Sequence, residues 1–308
     1  MSDLSYLQSV TIGLLQGVTE LFPVSSLGHS VLVPAWIGGS WAHLVSEGGA
    51  TNSQGSSYLA FIVALHVATA VALLVFYRRD WAAIIGGFIT VLRTRRVETS
   101  TQRLAVLGVV ATIPVGITGL LLEHPLRTLF AKPLAAAVFL TINGLILLGG
   151  EALRRRAVAR AEQPAADTSA PAGGLVVATK HRQLETLEYR EAGVIGLFQT
   201  FALLAGISRA GITMVGGLVR GLDHEDAAKL SFLLATPVIL AAGLLKLPSL
   251  AGPAGAGIQG QVLVGALVAG AAAYVSLRFL TRYFATRTLL PFAVYSLIAG
   301  VVSIVHFA

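Results

Sequence analysis

The sequence predicts an all-α polytopic membrane protein, an inverted-topology repeat with six crossings and two opposed re-entrant or broken helical elements. Three observations predict this fold. The 308 residues are 55% hydrophobic and only 12% charged, about half the charge that a soluble domain of this size carries. Eight apolar segments follow one another along the chain, and two of them are interrupted by glycine and proline. The two halves of the chain also resemble each other. This composition excludes a soluble enzyme or a disordered chain, and the absence of cysteine excludes disulfides, zinc–thiolate sites and thiol catalysis.

Most of the apolar segments are close to the ~20 residues that span a bilayer. They cover residues 4–37, 58–77, 104–122, 133–150, 192–219, 230–250, 262–280 and 289–308. The first and fifth are longer than the others. Pro23, Gly28 and Pro34 interrupt the first, and Gly206 and Gly211 interrupt the fifth. Such interruptions indicate broken helices or re-entrant hairpins.

One long hydrophilic stretch divides the chain. This stretch covers residues 151–190, and residues 163–174 within it are rich in Pro, Ala and Gly, which is typical of a flexible linker. We therefore predict a first membrane repeat at 1–150, a hydrophilic cytoplasmic linker at 151–190 and a second membrane repeat at 191–308. Together they form one integral-membrane domain.

The two halves are related by ungapped shifts. A shift of 183 positions aligns residues 16–30 with 199–213 and matches Gln, Leu, Ser and Gly at four positions. A shift of 171 aligns residues 59–74 with 230–245, although Ala/Leu-rich helices also match by chance. We interpret the first match as an internal duplication.

Loop charge predicts the topology, because Lys and Arg collect on the cytoplasmic side. Eighteen of the 22 basic residues lie in four loops, at 77–104, 151–190, 219–230 and 278–287. The loops at 38–57 and 251–261 contain none. The pattern alternates if the two broken elements return to the side they entered, which places both termini outside. The formal charge of +7 then reflects topology, and no nucleic-acid partner is expected.

Ionisable residues inside apolar segments are costly, so each is a functional candidate. Glu20 and His29 lie in the first broken element, Arg209 in the second and His66 in the second apolar segment. If the two broken elements meet, an acid, an imidazole and an arginine share one pocket. We predict His66 to be a packing histidine, because Pro237 occupies its position in the repeat.

The second broken element contains an anion-binding pattern, Gly206-x-Ser208-Arg209-x-Gly211-x-Thr213. Glycines let the backbone approach an anion, Ser208 and Thr213 donate hydrogen bonds, and the planar Arg209 fork matches phosphate oxygens. The alternative is that Arg209 only pairs with a carboxylate of the first element, Glu20, and joins the two.

Ser26 and His29 are three positions apart, on one helical face, a spacing that would let the imidazole take a proton from the hydroxyl. The alternative is that Ser25 or Ser26 caps the helix that follows the break.

Gln16 and Glu20 are four positions apart and share a face. Glu20 either holds a divalent cation that bridges phosphate oxygens or orients and charges His29, and both options remain open. Asn143, alone in the fourth segment, is predicted to form interhelical hydrogen bonds.

These motifs resemble the undecaprenyl-diphosphate phosphatases, bacterial membrane enzymes that confer bacitracin resistance. The resemblance rests on two motifs in order, Gln16-x-x-x-Glu20 with residues 23–29 (PVSSLGH), and Gly206-x-Ser208-Arg209 with Thr213. It implies hydrolysis of undecaprenyl (C55 polyprenyl) diphosphate to the monophosphate carrier of cell-wall peptidoglycan synthesis plus inorganic phosphate. It also implies a multi-pass protein of the bacterial inner (cell) membrane with a site that faces the extracytoplasmic side.

The resemblance also implies roles for single residues. The catalytic residues would be Glu20, Ser26, His29 and Arg209, and the phosphate would be bound by Ser25, Gly206, Ser208, Arg209 and Thr213. The cofactor would be Mg²⁺ or Ca²⁺, held by Glu20 with Gln16 as a candidate second ligand. We expect Ser26 to attack phosphorus with His29 as base, then as acid for the leaving group, although attack by His29 stays open.

Three positions depart from the family pattern. Gln16 stands where many members have Glu, Ala205 replaces the usual Pro, and Ala210 replaces the second Ser of Ser-Arg-Ser. We expect altered affinity or metal dependence rather than loss of activity.

The rival function is a transporter or flippase of a phosphorylated polyprenyl lipid, because opposed broken helices in an inverted repeat are also a transporter design. A carrier needs the anion site but neither a nucleophile nor a base. The Gly/Ala-rich residues 262–273 suit close helix packing, either within the chain or between the subunits of a homodimer.

Overall fold

A computed structural model describes residues 4–48, 57–122, 132–162, 182–246, 248, 252, 255 and 257–308. These residues form helices and connecting turns, without a strand. The α-helices in this part of the chain are α1 (Tyr6–Thr19), α2 (Ser26–Ile37), α3 (Ser40–Gly48), α4 (Ser57–Phe76), α5 (Arg78–Thr94), α6 (Ser100–Leu121), α7 (Pro133–Glu162), α8 (Tyr189–Gln199), α9 (Arg209–Val219), α10 (His224–Lys246), α11 (Gln259–Phe284) and α12 (Leu290–Phe307). Short 3₁₀ turns lie at Leu184–Thr186 and Thr200–Leu203.

Six helices in the described part of the chain are long and apolar enough to cross a membrane: α4, α6, α7, α10, α11 and α12. The all-helical fold with six spans is therefore confirmed. Helices α1 and α2, and likewise α8 and α9, are each too short to span and are separated by a break. These are the two broken elements predicted from the glycine and proline pattern.

Both breaks end in the same helix cap. Ser25 caps α2 and accepts a hydrogen bond from the Gly28 N–H at 3.2 Å, which confirms the capping interpretation of Ser25. Ser208 caps α9 and accepts from the Gly211 N–H at 3.1 Å. Both pairs are related by the shift of 183. A short polar side chain at this position satisfies one of the free N–H groups that every helix start leaves.

The packing around the breaks repeats as well. Gly13 of α1 lies against the backbone of Gly265 in α11, and Gly196 of α8, its partner by the same shift, lies against the backbone of Ala111 in α6. In both places a Cβ atom would overlap a carbonyl oxygen of the neighbouring helix. Small residues allow this close approach of helices.

The same helix contacts occur in both halves, with the positions of α6 and α11 exchanged. Helix α1 packs on α11 as α8 packs on α6, and α4 packs on α11 as α10 packs on α6. Helices α7 and α12 pack on each other. These exchanges support a duplication. The opposite orientation of the two halves in the membrane, and the boundaries at 1–150, 151–190 and 191–308, stay predictions.

The small residues of 262–273 are used within the chain. Gly265 faces Gly13, and the Ala269 carbonyl oxygen faces Gly17, so this stripe forms the contact between α11 and α1. The homodimer stays a prediction, and the stripe offered for it is already covered here by α1.

Three connecting regions differ from the sequence interpretation. Helix α7 continues to Glu162, twelve residues into the predicted linker. Leu184 and Leu187, near the C-terminal end of the predicted linker, are buried. The flexible run at 163–174 lies outside the described residues. The basic loop at 77–104 contains α5, and the loop at 38–57 contains α3. Hydropathy alone missed α5 because arginines at its ends lower its mean hydropathy, while its apolar residues keep a helical spacing.

The glycine contacts generate a stability prediction. Replacing Gly13 or Gly196 by Ala places a methyl group against a backbone carbonyl, and overpacking of this kind costs about 1–3 kcal/mol. We expect G13A and G196A each to lower the thermal unfolding midpoint in detergent. Gly108→Ala in α6 is the matched control, because nothing lies within 4 Å of its Cβ position, and it should leave the midpoint unchanged or raise it. Equal midpoints for all three variants would contradict the close packing.

Candidate active site

The two breaks contact each other through the backbone. The Ser25 hydroxyl accepts a hydrogen bond from the Gly206 N–H at 3.1 Å, in addition to that of Gly28. Gly206 has φ +115, and a Cβ there would overlap the carbonyl oxygen of Ala136 in α7. Ser25 also has a positive φ, +69, which is unusual for a residue with a side chain. The second break therefore requires glycine, and the first holds a strained serine in place.

Asn143 of α7 joins the same two breaks. Its Nδ2 donates to the Pro23 carbonyl at 3.0 Å and to the Ser296 hydroxyl at 3.2 Å, and its Oδ1 accepts from the Ser208 N–H at 2.9 Å. The side chain is fully buried. The prediction of interhelical hydrogen bonding is confirmed. The structure adds that Asn143 satisfies backbone groups that the breaks leave free inside an apolar environment.

Glu20 and Arg209 form an ion pair between the two broken elements. Arg209 Nη1 also donates to the Ala235 carbonyl of α10 at 2.9 Å. The pairing that was the alternative role of Arg209 is therefore present. It does not exclude anion binding, because Arg209 also lines the cavity described below and a guanidinium has five N–H donors.

The second carboxylate oxygen of Glu20 accepts hydrogen bonds from its own half of the protein. Gln16 Nε2 donates at 3.1 Å, and the Ser26 hydroxyl donates as well. Ser26 is thus hydrogen-bonded to a carboxylate that could receive its proton. Glu20 is buried, so these partners replace the water that an exposed carboxylate would bind.

His66 belongs to this cluster. Its Nε2 lies 3.3 Å from Glu20 Oε2, and its Nδ1 lies 2.8 Å from the Ile62 carbonyl. The prediction that His66 only packs is therefore wrong. The sequence gives two signals for it: His66 is one of the few ionisable residues within an apolar segment, and Leu65-His66 belongs to the stretch that resembles the family.

His29 does not contact the Ser26 hydroxyl, in contrast to the predicted pair. Its Nδ1 lies 2.7 Å from the Ser25 carbonyl, and its Nε2 lies 2.7 Å from the Tyr295 hydroxyl of α12. A carbonyl only accepts, so Nδ1 carries the proton, and in the neutral ring Nε2 accepts from Tyr295. The two residues turn apart because the Ser25 carbonyl is one helical turn before His29, whereas Glu20 draws Ser26 to the cavity side. Glu20 likewise orients His66 rather than His29.

A cavity of about 450 Å³ opens beside the cluster. Its polar end is formed by Glu20, Ser26, His66 and Arg209, and the rest is mostly apolar, with side chains from α4, α6 and α10 such as Ile62, Val115 and Ile239. A polar end that continues into an apolar cleft suits an amphiphile whose charged head enters first.

The predicted phosphate ligands fall into two groups. Ser25, Ser208 and Arg209 line the cavity. Thr213 is fully buried and outside the lining, and its hydroxyl has no hydrogen-bond partner among the described residues. The Gly206 N–H is occupied by Ser25. Anion binding in this geometry therefore rests on Arg209 and the serines.

The donors for a cation are few. No group of three or more His, Asp or Glu side chains lies together in the part of the chain that the structure describes. Glu20 is the only carboxylate of the cluster, and the buried Gln16 Oε1 has no hydrogen-bond partner there. Mg²⁺ is commonly bound through one or two carboxylates together with substrate phosphates and water. Glu20 lines the cavity and fits a cation of that kind, whereas Gln16 is fully buried outside the lining and is hydrogen-bonded to Glu20. These residues do not fit a closed metal site.

Comparison with known proteins shows the family of this chain. Residues 9–302 match the family described as bacitracin resistance protein BacA. The chain is 66% identical to undecaprenyl-diphosphatase 2 of Frankia alni, with 100% of this chain and 99% of that protein covered. It is 55% identical to undecaprenyl-diphosphatase of Mycolicibacterium paratuberculosis, with 100% and 99% covered. For undecaprenyl-diphosphatase 2 of Chromobacterium violaceum the identity is 40%, with 97% of each chain covered. The family match spans most of the chain and these relatives align along nearly all of it, so the chain belongs to the bacitracin resistance protein BacA family.

Proposed function

We propose that this protein is a membrane phosphatase that hydrolyses undecaprenyl diphosphate to the monophosphate and inorganic phosphate. In the bacterial inner membrane this reaction recycles the cell-wall lipid carrier and confers resistance to bacitracin. The names of the relatives support the substrate. The observation that carries the proposal is the Ser26–Glu20–Arg209 cluster at the polar end of an apolar cavity.

In the proposed mechanism the terminal phosphate enters the polar end and the polyprenyl chain lies along α4, α6 and α10. The Ser26 oxygen attacks phosphorus, its proton passes to Glu20 Oε2, and the bond to the bridging oxygen breaks to release the lipid monophosphate. Water then attacks the phosphoserine, Glu20 returns the proton to the Ser26 oxygen as the P–O bond breaks, and inorganic phosphate leaves. Arg209 stabilises the charge on the transferred phosphoryl oxygens, while its pairing with Glu20 keeps the two broken elements aligned.

The proposed role of His29 is to position Ser26 rather than to act as the base. Its backbone N–H and its Nδ1–H both donate to the Ser25 carbonyl. Together they support the positive φ of Ser25, which sets the direction of the Ser26 side chain. Tyr295 occupies the other ring nitrogen.

The cation is also a proposal. Glu20 would hold Mg²⁺ or Ca²⁺, and Gln16 would orient Glu20 through its hydrogen bond. The cation would neutralise part of the substrate's charge.

We propose that the cavity opens to the extracytoplasmic side. Leu120 and Leu245 line it near the ends of α6 and α10. The opposite ends of both helices adjoin basic loops, at 77–104 and 219–230, that the charge rule places in the cytoplasm.

The cluster generates a prediction for catalysis. We expect S26A, E20Q and R209Q each to lower kcat for phosphate release by about 10²–10³-fold, since each removes a group that acts on the reacting phosphoryl. The assay is phosphate release from a long-chain polyprenyl diphosphate by the purified protein in detergent. Ser303→Ala in α12, outside the cavity lining, is the control. Full activity of S26A would contradict attack by serine, and a folded wild type that binds the lipid without releasing phosphate would favour the transporter or flippase.

The role of His29 can be separated by two substitutions. Asn carries an N–H donor near the position of Nδ1, so H29N should keep the bond to Ser25, whereas H29L should lose it. We expect H29N to retain at least about tenfold more activity than H29L, the effect of about one lost hydrogen bond. If the two variants are equally inactive while S26A is too, His29 is the base and its positioning role is wrong.

If a cation takes part, phosphate release should depend on divalent ions. Removing divalent ions should lower phosphate release, and Mg²⁺ or Ca²⁺ should restore it. Gln16→Glu adds a carboxylate and should lower the cation concentration for half-maximal activity about tenfold, a typical size for a change close to a metal. Gln16→Leu is the matched control and should raise it. If the chelator leaves phosphate release unchanged in wild type and in both Gln16 variants, no cation is required.

A further inference from the structure

Helix α5 lies on one membrane surface. It connects α4 to α6, and both of these are long enough to cross the membrane, so the two ends of α5 are on the same side. Its seventeen residues include Arg78, Arg79, Asp80 and Arg93, too many charges for a span. It packs along α6, and its partly buried residues Trp81 and Ile84 pack against the hydrophobic core.

Part of its apolar surface is uncovered. Ile85, Ile89 and Leu92 follow the spacing of one helical face and are 52%, 42% and 62% exposed. This exposed stripe continues from the side that packs on α6. A helix with such a stripe beside charged residues lies in the plane of the bilayer, with the stripe at the boundary between headgroups and acyl chains.

Five arginines flank the stripe, and all are exposed: Arg78 and Arg79 at the start of α5, and Arg93, Arg95 and Arg96 at its end. None of them forms an ion pair among the described residues. The only carboxylate within α5, that of Asp80, forms an ion pair with Lys229 of α10, with 2.7 Å between Oδ1 and Nζ. The surface thus offers five guanidinium groups with no acid of the helix left to neutralise them.

We propose that these five arginines and the Ile85–Ile89–Leu92 stripe form a binding surface for acidic phospholipid headgroups, which we name the α5 lipid surface. Guanidinium forks match phosphate oxygens, and basic clusters next to a membrane helix attract acidic lipids. None of these residues lines the cavity. The inference is independent of the proposed phosphatase activity.

The test counts lipids retained by the purified full-length protein. The protein is mixed in detergent with phosphatidylglycerol or with phosphatidylcholine of the same acyl chains, and native mass spectrometry counts the bound lipids. The variant is R93Q/R95Q/R96Q. The control is R278Q/R282Q/R287Q, which removes the same charge from exposed positions at the end of α11 and the turn after it.

We expect wild type and control to retain phosphatidylglycerol over phosphatidylcholine. The α5 variant should lose most of this preference, with an affinity about tenfold weaker, and the preference of wild type should fall as salt rises. Thermal unfolding without lipid and phosphate release in detergent should match wild type, which separates lipid binding from misfolding. Equal phosphatidylglycerol retention by the α5 variant and wild type would overturn the proposal, as would equal loss in the α11 control.

Discussion

The structure depends on the burial of one carboxylate, that of Glu20, where two broken helices meet. Removing a carboxylate from water costs several kcal/mol unless it is paired and hydrogen-bonded. Glu20 obtains its partners from four different helices: Gln16 of α1, Ser26 of α2, His66 of α4 and Arg209 of α9. The charge is stable only when these elements converge. The residue that we propose as the base is therefore also the residue that joins the two halves.

The backbone imposes a second constraint at the same place. Two interrupted helices leave free N–H and C=O groups at a depth where water is scarce, and each must find a partner within the protein. Ser25, Ser208 and Asn143 supply those partners, while Gly206 allows the close approach. The polar residues of both motifs therefore stabilise the breaks, in addition to the roles proposed for them in catalysis. In this geometry the Ser25 and Ser208 hydroxyls each accept from one or two backbone N–H groups, which leaves their own protons free for a phosphate oxygen.

Much of this arrangement could be predicted from the sequence because it has a local signal. The six spans follow from hydropathy and the breaks from glycine and proline. The cost of placing charges in apolar segments singled out Glu20 and Arg209, with their pairing as one of two alternatives. The family membership followed from the two motifs. Contacts between segments that are distant in the sequence have a weaker local signal. His29 and Tyr295 are 266 positions apart, and nothing in either segment identifies the other.

The errors have physical causes. His66 was interpreted as a packing residue because it lies alone among apolar residues, whereas the fold brings Glu20 to it. The Ser26–His29 pair was inferred from spacing, and spacing cannot show that Glu20 and the Ser25 carbonyl compete for those side chains. Helix α5 was interpreted as a loop because its flanking arginines hide an apolar stripe that only periodicity reveals.

The central claim is that Glu20 and Arg209 act as one unit across the two halves. The most direct measurement is a double-mutant cycle on kcat/KM for phosphate release with E20Q, R209Q and the double variant. If the two residues form one functional pair, the double variant should lose about as much activity as either single variant. Losses that multiply would mean that the two residues act separately, and would contradict a site built on their pairing.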